Sequence, residues 1–176
     1  MTYLFPDNTV LCNFAAVERL DVLRQVLDGN GRWCEAVKAE AANSAPFHPQ
    51  LASIPNEGWL GDAIEVSDAE EIRRIDVIRR QLMGGSARRP TQHLGEAQTC
   101  FVIEERSEFS GAVWISDDRD SLEHAKFRRI ATRETVDLVR DAVAGSIVTR
   151  PVGFALLEQM RSVGRSLRVP RSLNEL

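Results

Sequence analysis

The chain has 176 residues, 43% hydrophobic and 27% charged, which is enough apolar material for one core and excludes a disordered or fibrous protein. Its 22 Lys and Arg against 26 Asp and Glu give a net charge of −4, which excludes a protein that coats nucleic acid through bulk positive charge. The charge is uneven, because residues 1–125 carry 12 basic and 21 acidic side chains and residues 126–176 carry 10 and 5. This split allows a cation site in one part and a polyanion site in another, although charged runs are more often solvated surface.

The N-terminal sequence MTYLFPD has no basic leader, and no run reaches the roughly 18 apolar residues of a membrane span. We therefore expect a cytoplasmic protein without a membrane segment. The cysteines lie too far apart for a zinc site or a disulfide framework, so they and the tryptophans are expected to pack in the core. These side chains are Cys12, Cys34, Cys100, Trp33, Trp59 and Trp114.

The predicted elements begin with a strand at residues 2–5, which Pro6 ends, followed by two helical stretches up to a turn at 28–31. A brief strand at 32–34, a helix at 36–44, a proline-rich loop and a strand at 63–66 come next. Ser67 and Glu70 have the spacing of a capping box, which predicts the start of another helix. Its inner face would be Ile72, Ile75, Ile78 and Leu82, and its outer face Arg73, Arg74, Arg79 and Arg80.

The second half of the chain continues the alternation of helices and strands. A polar loop at 84–92 precedes a helix from near His93 towards Arg106, and the apolar run in 111–116 predicts a strand covered on both faces. Three further helices are expected near 119–128, 134–144 and 151–164. The pattern predicts an α/β sandwich with a short, mostly parallel central sheet, and a tail at 165–176 with partial disorder.

Acidic residues follow two of these strands directly. Asp7 follows the first, and Asp117, Asp118 and Asp120 follow the strand at 111–116. Ligands of parallel sheets bind outside the carboxyl ends of the strands, so these acids are candidates for chemistry. An Asp in this position is also a common helix cap, and that structural role stays open for Asp7.

Two helical glutamates lie on faces that carry apolar residues. Glu96 shares a face with Cys100 and Ile103, and Glu40 shares one with Val37. The alternatives are a helix-dipole interaction for Glu96 and partial exposure for Glu40.

If the sheet brings four of these carboxylates together, they would repel one another unless a cation compensated their charge. The four are Asp7, Glu40, Glu96 and Asp118. Oxygen ligands without a nearby cysteine favour Mg²⁺ or Mn²⁺ over Zn²⁺. Such an ion polarises phosphoryl groups and helps to form hydroxide, which points to hydrolysis of a phosphodiester.

Four stretches of the chain resemble the PIN-domain family of metal-dependent ribonucleases, which includes the toxins of VapBC toxin–antitoxin pairs. They are PDNTVLCNFAAVERLDVL, EAVKAEAANSA, LGEAQTCFVI and WISDDRD. The first is similar to the family's opening strand and helix, the next two to its helices with the second and third acids, and the last to its strand followed by Ser or Thr and acids. The resemblance implies a PIN-like three-layer α/β/α sandwich, with a nuclease domain at 1–164.

The resemblance also implies roles for individual residues. The catalytic and metal-binding set would be Asp7, Glu40, Glu96 and Asp118. The family's Thr-x-Asp spacing maps from Ser116 to Asp118, but a shift by one residue would make Asp117 the main ligand, and this alternative stays open. The further implied residues are Asp117 and Asp120 as metal ligands, and Asn8, Thr9 and Ser116 as substrate contacts. Two departures from the family are the reversed order of Asn8 and Thr9 and the greater length of the chain.

The activity implied is cleavage of single-stranded or looped RNA that leaves a 5′-phosphate and a 3′-hydroxyl. Arg88 and Arg89 precede the Glu96 helix and are candidate phosphate contacts, with a solvated loop as the alternative. Weaker candidates are Arg128, Arg129 and Arg133.

The resemblance implies two protein partners, an antitoxin and a second copy of the chain. A homodimer would form through early helices that expose Leu20, Leu23 or Leu27, whereas core packing is the simpler role for these residues. His93, three residues before Glu96, leaves open a histidine–carboxylate metal site. The competing function is a non-catalytic PIN-like module that binds RNA or protein.

Overall fold

The computed structural model describes residues 2–176. In that part of the chain there are three strands, β1 (Leu4–Pro6), β2 (Val113–Ile115) and β3 (Ala131–Arg133). The nine α-helices of the same part are α1 (Asn8–Ala16), α2 (Leu20–Leu27), α3 (Glu35–Ser44), α4 (Ile54–Glu57), α5 (Ala69–Val77), α6 (Leu94–Glu105), α7 (Arg119–Phe127), α8 (Thr135–Ala144) and α9 (Arg150–Ser162). A π-helical turn, Ile78–Leu82, continues α5, and short 3₁₀ turns lie at Pro49–Ser53, Ser107–Phe109 and Leu173–Glu175.

The three strands form one parallel sheet in the order β1-β2-β3. The expected α/β class and short parallel sheet are therefore confirmed. Two predicted strands were wrong, because residues 32–34 and 63–66 contribute only the isolated bridges Leu4–Gly31 and Cys34–Ile64. Strand β3 was not predicted, because it is an edge strand with two exposed residues and has no apolar run.

Helices cover both faces of the sheet, and the strand side chains alternate between two cores. Leu4, Val113 and Ile115 pack into a core with α1, α2, α8 and α9. Phe5 and Trp114 point to the opposite face and pack with α6. This alternation places the carboxyl ends of β1 and β2 side by side between two groups of helices.

Helix α5 differs from the sequence prediction in its start and in its buried face. Its N-cap is Asp68, whose carboxylate accepts hydrogen bonds from the backbone of two following residues, instead of Ser67. The side chains of Ile72 and Leu82 are 52% and 48% exposed, whereas Arg79 is only 3% exposed. The other predicted positions are confirmed, because Ile75 and Ile78 pack in the second core and Arg73, Arg74 and Arg80 are exposed. Arg79 and Leu82 depart from the prediction because the π-helical turn changes the helical register after Val77.

Several other predictions about the core are confirmed. The cysteines are buried and free of disulfides, and the tryptophans are buried. The leucines considered for a dimer contact, Leu20, Leu23 and Leu27, lie in the chain's own core. Across residues 2–176, every helix is too short or too polar to cross a lipid bilayer.

The C-terminal segment 165–176 lies against the first core through Leu167, Val169 and Leu176. The Arg140 guanidinium also donates a hydrogen bond of 3.0 Å to the backbone carbonyl of Glu175. The first residue of the segment, Arg165, contacts Asn13 and Thr9 of α1.

Candidate active site

Asp7 lies at the junction between β1 and α1 and is 6% exposed. Its carboxylate accepts hydrogen bonds from the backbone N–H of Val10 at 2.8 Å, the hydroxyl of Ser116 at 2.5 Å and the hydroxyl of Thr9 at 3.3 Å. The helix-capping role that the sequence left open is therefore real. The contact with Ser116 goes further, because it joins Asp7 to the end of the neighbouring strand β2.

Glu40 and Glu96 meet where α3 packs against α6. The Glu40 carboxylate accepts a hydrogen bond of 3.2 Å from the backbone N–H of Gly95. A Cβ atom on Gly95 would lie 2.8 Å from both oxygens of that carboxylate, so only glycine leaves room for this contact. His93 Nδ1 lies 3.6 Å from Glu96 Oε1.

Asp7, Glu40 and Glu96 line one cavity of about 370 Å³. Asn8, Thr9 and Val37 form further parts of its wall, and the segment from Thr91 to His93, together with Gly95, completes it. The structure thus brings together six of the site candidates named from the sequence, although they come from three separate stretches of the chain.

Two of these carboxylates, Asp7 and Glu40, have raised pKa values. Burial raises the pKa of Asp7 to about 7, and the charges of Asp117 and Glu96 add to the effect against the hydrogen bonds of Ser116 and Val10. Burial also raises the pKa of Glu40 to about 7, with contributions from the charges of Glu96 and Asp7. Burial therefore disfavours the ionised form of both carboxylates, and the nearby negative charges add to this effect.

Asp117 lies outside the cavity wall but within electrostatic reach of Asp7. The backbone N–H of Thr135 donates to its carboxylate at 3.0 Å, the Thr135 hydroxyl also donates, and Asn13 Nδ2 donates at 2.8 Å. Burial raises the pKa of Asp117, and the hydrogen bonds from Thr135 oppose this effect.

Asp118 and Asp120 are exposed and do not line the cavity. Asp118 caps α7, accepting a hydrogen bond of 2.8 Å from the backbone N–H of Ser121, and its own N–H donates to the Ser116 hydroxyl at 3.1 Å. The chain turns into α7 at this point, so the acid that faces Asp7 after β2 is Asp117 instead of Asp118.

Arg88 and Arg89 are exposed on the loop before α6, outside the cavity wall. The buried Arg79 guanidinium holds this loop by donating to the backbone carbonyls of Ser86 and Arg89, at 3.1 Å each, and to that of Gln92 at 3.4 Å. Because Gln92 lines the cavity, Arg79 fixes part of its wall. Of the other candidate arginines, Arg128 and Arg133 form ion pairs with Glu104 and Asp141, and Arg129 is exposed.

Two residues near the site were missed by sequence reasoning. Asn13 is fully buried and donates to both Asp117 and Thr135. Its amide in the otherwise apolar run VLCNFAAV was the signal that could have revealed it, because a buried polar group needs partners. The other is Arg165, whose Nε donates to Asn13 Oδ1 at 2.7 Å. No sequence signal distinguished it from neighbouring arginines.

Oxygen ligands of this kind suit a hard divalent cation. Within residues 2–176, however, no group of three or more His, Cys, Asp or Glu side chains is arranged closely enough to hold a metal ion. The Asp7 carboxylate is engaged by Ser116, Thr9 and Val10, and that of Glu40 by Gly95. The residues fit Mg²⁺ or Mn²⁺ in donor chemistry, with one or two direct carboxylate ligands and bound waters, as is usual for Mg²⁺.

No protein-family model, curated protein or solved structure matches this chain. The chemical interpretation of the cavity therefore depends on its residues and their contacts, and the resemblance to the PIN family stays a hypothesis.

Proposed function

We propose that this protein is a PIN-like endoribonuclease that depends on Mg²⁺ or Mn²⁺ and hydrolyses phosphodiester bonds in single-stranded or looped RNA. The observation that carries the proposal is the meeting of Asp7, Glu40 and Glu96 in one cavity at the carboxyl end of a parallel strand. Helices on both faces of the short parallel sheet support the finer assignment of a PIN-like three-layer sandwich.

Asp7, Glu40 and Glu96 would hold the ion, directly or through water, and the charge of Asp117 would strengthen its binding. When bound, the ion supplies charge stabilisation at the phosphoryl oxygens and a lowered pKa of water. Ser116 and Thr9 orient the Asp7 carboxylate through their hydroxyl groups, and Gly95 leaves space for that of Glu40.

In the proposed reaction the oxygen of a water molecule attacks phosphorus, and the bond from phosphorus to the 3′ oxygen breaks. The proton of the attacking water passes to a cavity carboxylate, and the leaving 3′ oxygen takes up a proton from solvent. Asn8 lines the cavity with an amide group that can donate a hydrogen bond to a phosphate oxygen. A single strand can bring its backbone to such a recessed site, whereas the rigid backbone of a duplex cannot.

The test is cleavage of an end-labelled single-stranded RNA by the purified protein. We expect cleavage with Mg²⁺ or Mn²⁺ that stops with EDTA, and products with a 5′-phosphate and a 3′-hydroxyl. Asp7→Asn and Glu40→Gln should lower the rate by at least about a hundredfold, because each removes a charge that the site requires. Glu108→Gln is the control, since Glu108 is exposed and lies outside the cavity. Equal rates for Asp7→Asn and Glu108→Gln would overturn the proposal.

The second candidate is a non-catalytic PIN-like module that binds RNA. It is favoured by one observation, the absence of a close group of three potential metal-binding side chains in the described chain from residue 2 to residue 176. RNA binding without any metal-dependent cleavage would support this alternative.

A further inference from the structure

Arg165 has an unusual environment for a charged side chain. Thirteen of the chain's arginines form ion pairs with Asp or Glu in the part that the structure describes. The two half-buried arginines that form none there are Arg32 and Arg165, and Arg165 is the one that contacts Thr9 in the cavity wall. Its guanidinium contacts only neutral oxygens, Asn13 Oδ1 at 2.7 Å and the backbone carbonyl of Thr9 at 3.4 Å. A partly desolvated cation without a counter-ion is ready to bind an anion.

The position of Arg165 is set by the end of α9. Gly164 has a φ of 87°, in the left-handed region, and the backbone N–H of Arg165 donates to the carbonyl of Met160 at 3.0 Å. This is the usual geometry by which a glycine ends a helix and reverses the chain. The reversal directs Arg165 back onto α1, at the helical turn that begins with Asp7.

Arg165 also lies close to the acidic cavity. It contacts the backbone of Thr9, and Thr9 both lines the cavity and donates a hydrogen bond to Asp7. Burial raises the pKa of Cys12, and the Arg165 charge opposes this while those of Asp7 and Glu40 add to it. One thiol therefore lies within electrostatic reach of the guanidinium and of two site carboxylates.

We propose that Arg165 binds a phosphate of the RNA strand adjacent to the phosphate held in the acidic cavity. This inference rests on the proposed function. It gives the strand a cationic contact at the α1 side of the cavity, where the carboxylates alone would repel its backbone. The planar guanidinium suits the oxygens of a phosphodiester, and its contacts with Asn13 and Thr9 fix its orientation before RNA arrives.

The test measures binding of a labelled single-stranded RNA by fluorescence anisotropy over a range of KCl concentrations. All variants carry Asp7→Asn so that the RNA stays intact. Arg165→Gln keeps a hydrogen-bond donor for Asn13 but removes the charge, and Arg165→Lys keeps the charge. Arg161→Gln is the matched control, because Arg161 is an exposed arginine of α9 that pairs with Glu158.

We expect Arg165→Gln to weaken RNA binding about tenfold and to reduce the slope of log affinity against log salt by about 0.7. Arg165→Lys should stay within about threefold of the parent, and Arg161→Gln should match it. Equal affinity and slope for Arg165→Gln and Arg161→Gln would overturn the inference. So would equal weakening by Arg165→Gln and Arg165→Lys, which would assign Arg165 only its contact with Asn13.

A second measurement covers the case in which Arg165→Gln does not fold. The arginine Nε–H resonance of Arg165, assigned by its loss in Arg165→Lys, should shift when RNA is added, and an unchanged resonance would overturn the inference. If the protein cleaves RNA with metal but its RNA affinity is unchanged by substitution of Arg165, this inference is wrong and the proposed function still holds. An absence of both cleavage and RNA binding would defeat the proposed function as well.

Discussion

The hydroxyl of Ser116 donates a hydrogen bond of 2.5 Å to the carboxylate of Asp7, and it thereby joins the carboxyl ends of β2 and β1. Ser116 is 1% exposed. Its hydrogen bond lowers the pKa of Asp7 and so opposes the effect of burial on the Asp7 carboxylate. The relationship explains how two residues 109 positions apart define one edge of the site.

Removal of this contact should raise the pKa of Asp7 further. We expect Ser116→Ala to lower the rate of RNA cleavage about tenfold near neutral pH, and to lower the free energy of unfolding by about 1–3 kcal/mol. The pH profile of the rate should move to higher pH. The exposed residue Ser110 supplies the control, and identical profiles for Ser116→Ala and Ser110→Ala would contradict the role given to Ser116.

The stability of the metal-free protein should depend on the charge of Asp7. Its pKa is about 7 in the folded chain against an ordinary value of 3.8, so the folded state binds more protons between these values. The contribution of Asp7 is therefore greatest below the ordinary value and is lost as the pH rises through about 7.

Asp7→Asn removes this dependence. At each pH, the free energy of unfolding of wild type is subtracted from that of Asp7→Asn. In the presence of EDTA this difference should increase by on the order of 2 kcal/mol between about pH 5 and about pH 8. Urea unfolding at the two pH values measures the change. A constant difference between the two proteins would show that Asp7 has an ordinary pKa.

Gly95 should tolerate no larger residue while Glu40 is present. A Cβ atom would lie 2.8 Å from both Glu40 carboxylate oxygens, so Gly95→Ala should displace this carboxylate. We expect a loss of about 1–3 kcal/mol in the free energy of unfolding, and a slower cleavage of RNA. The loss of stability should be smaller in a Glu40→Ala background, because the clash is absent there. Additive effects of the two substitutions would contradict this account.

The acids after β2 should differ in their effects on activity. Asp117→Asn removes a negative charge near Asp7 that would strengthen binding of the cation, so it should lower the cleavage rate at limiting Mn²⁺ by at least about tenfold. Asp118→Asn should change the rate by less than about twofold, because Asn caps a helix about as well as Asp. Initial rates at limiting Mn²⁺ measure both effects. A larger loss of rate in Asp118→Asn than in Asp117→Asn would identify Asp118 as the main acid after β2.

Much of the fold could be predicted from the sequence because its signals are local. The apolar run around Trp114 predicted the central strand β2, and the β-prone residues up to Pro6 predicted the edge strand β1. Strand β3 has two exposed residues and little apolar content, so it forms only because β2 offers an edge for pairing. The burial of Arg79 and the exposure of Leu82 were not predicted, because the π-helical turn at Ile78–Leu82 has no clear sequence signature.

The candidate site could be predicted only in part. Asp7, Glu40 and Glu96 were named from strand ends and helical faces, and the structure places them around one cavity. The choice between Asp117 and Asp118 depends on how the chain turns after Ser116, which residue spacing alone cannot fix. Arg165 could not be recognised because its significance lies in lacking a carboxylate partner, and pairing is a property of the folded chain.

The most direct measurement is a titration of the purified protein with Mn²⁺, in which electron paramagnetic resonance reports the free ion. Wild type should bind Mn²⁺, Asp7→Asn and Glu96→Gln should bind it at least about tenfold more weakly, and Glu108→Gln should match wild type. Mn²⁺ affinities that are the same for all four proteins would contradict the claim that these carboxylates form one cation-binding cavity.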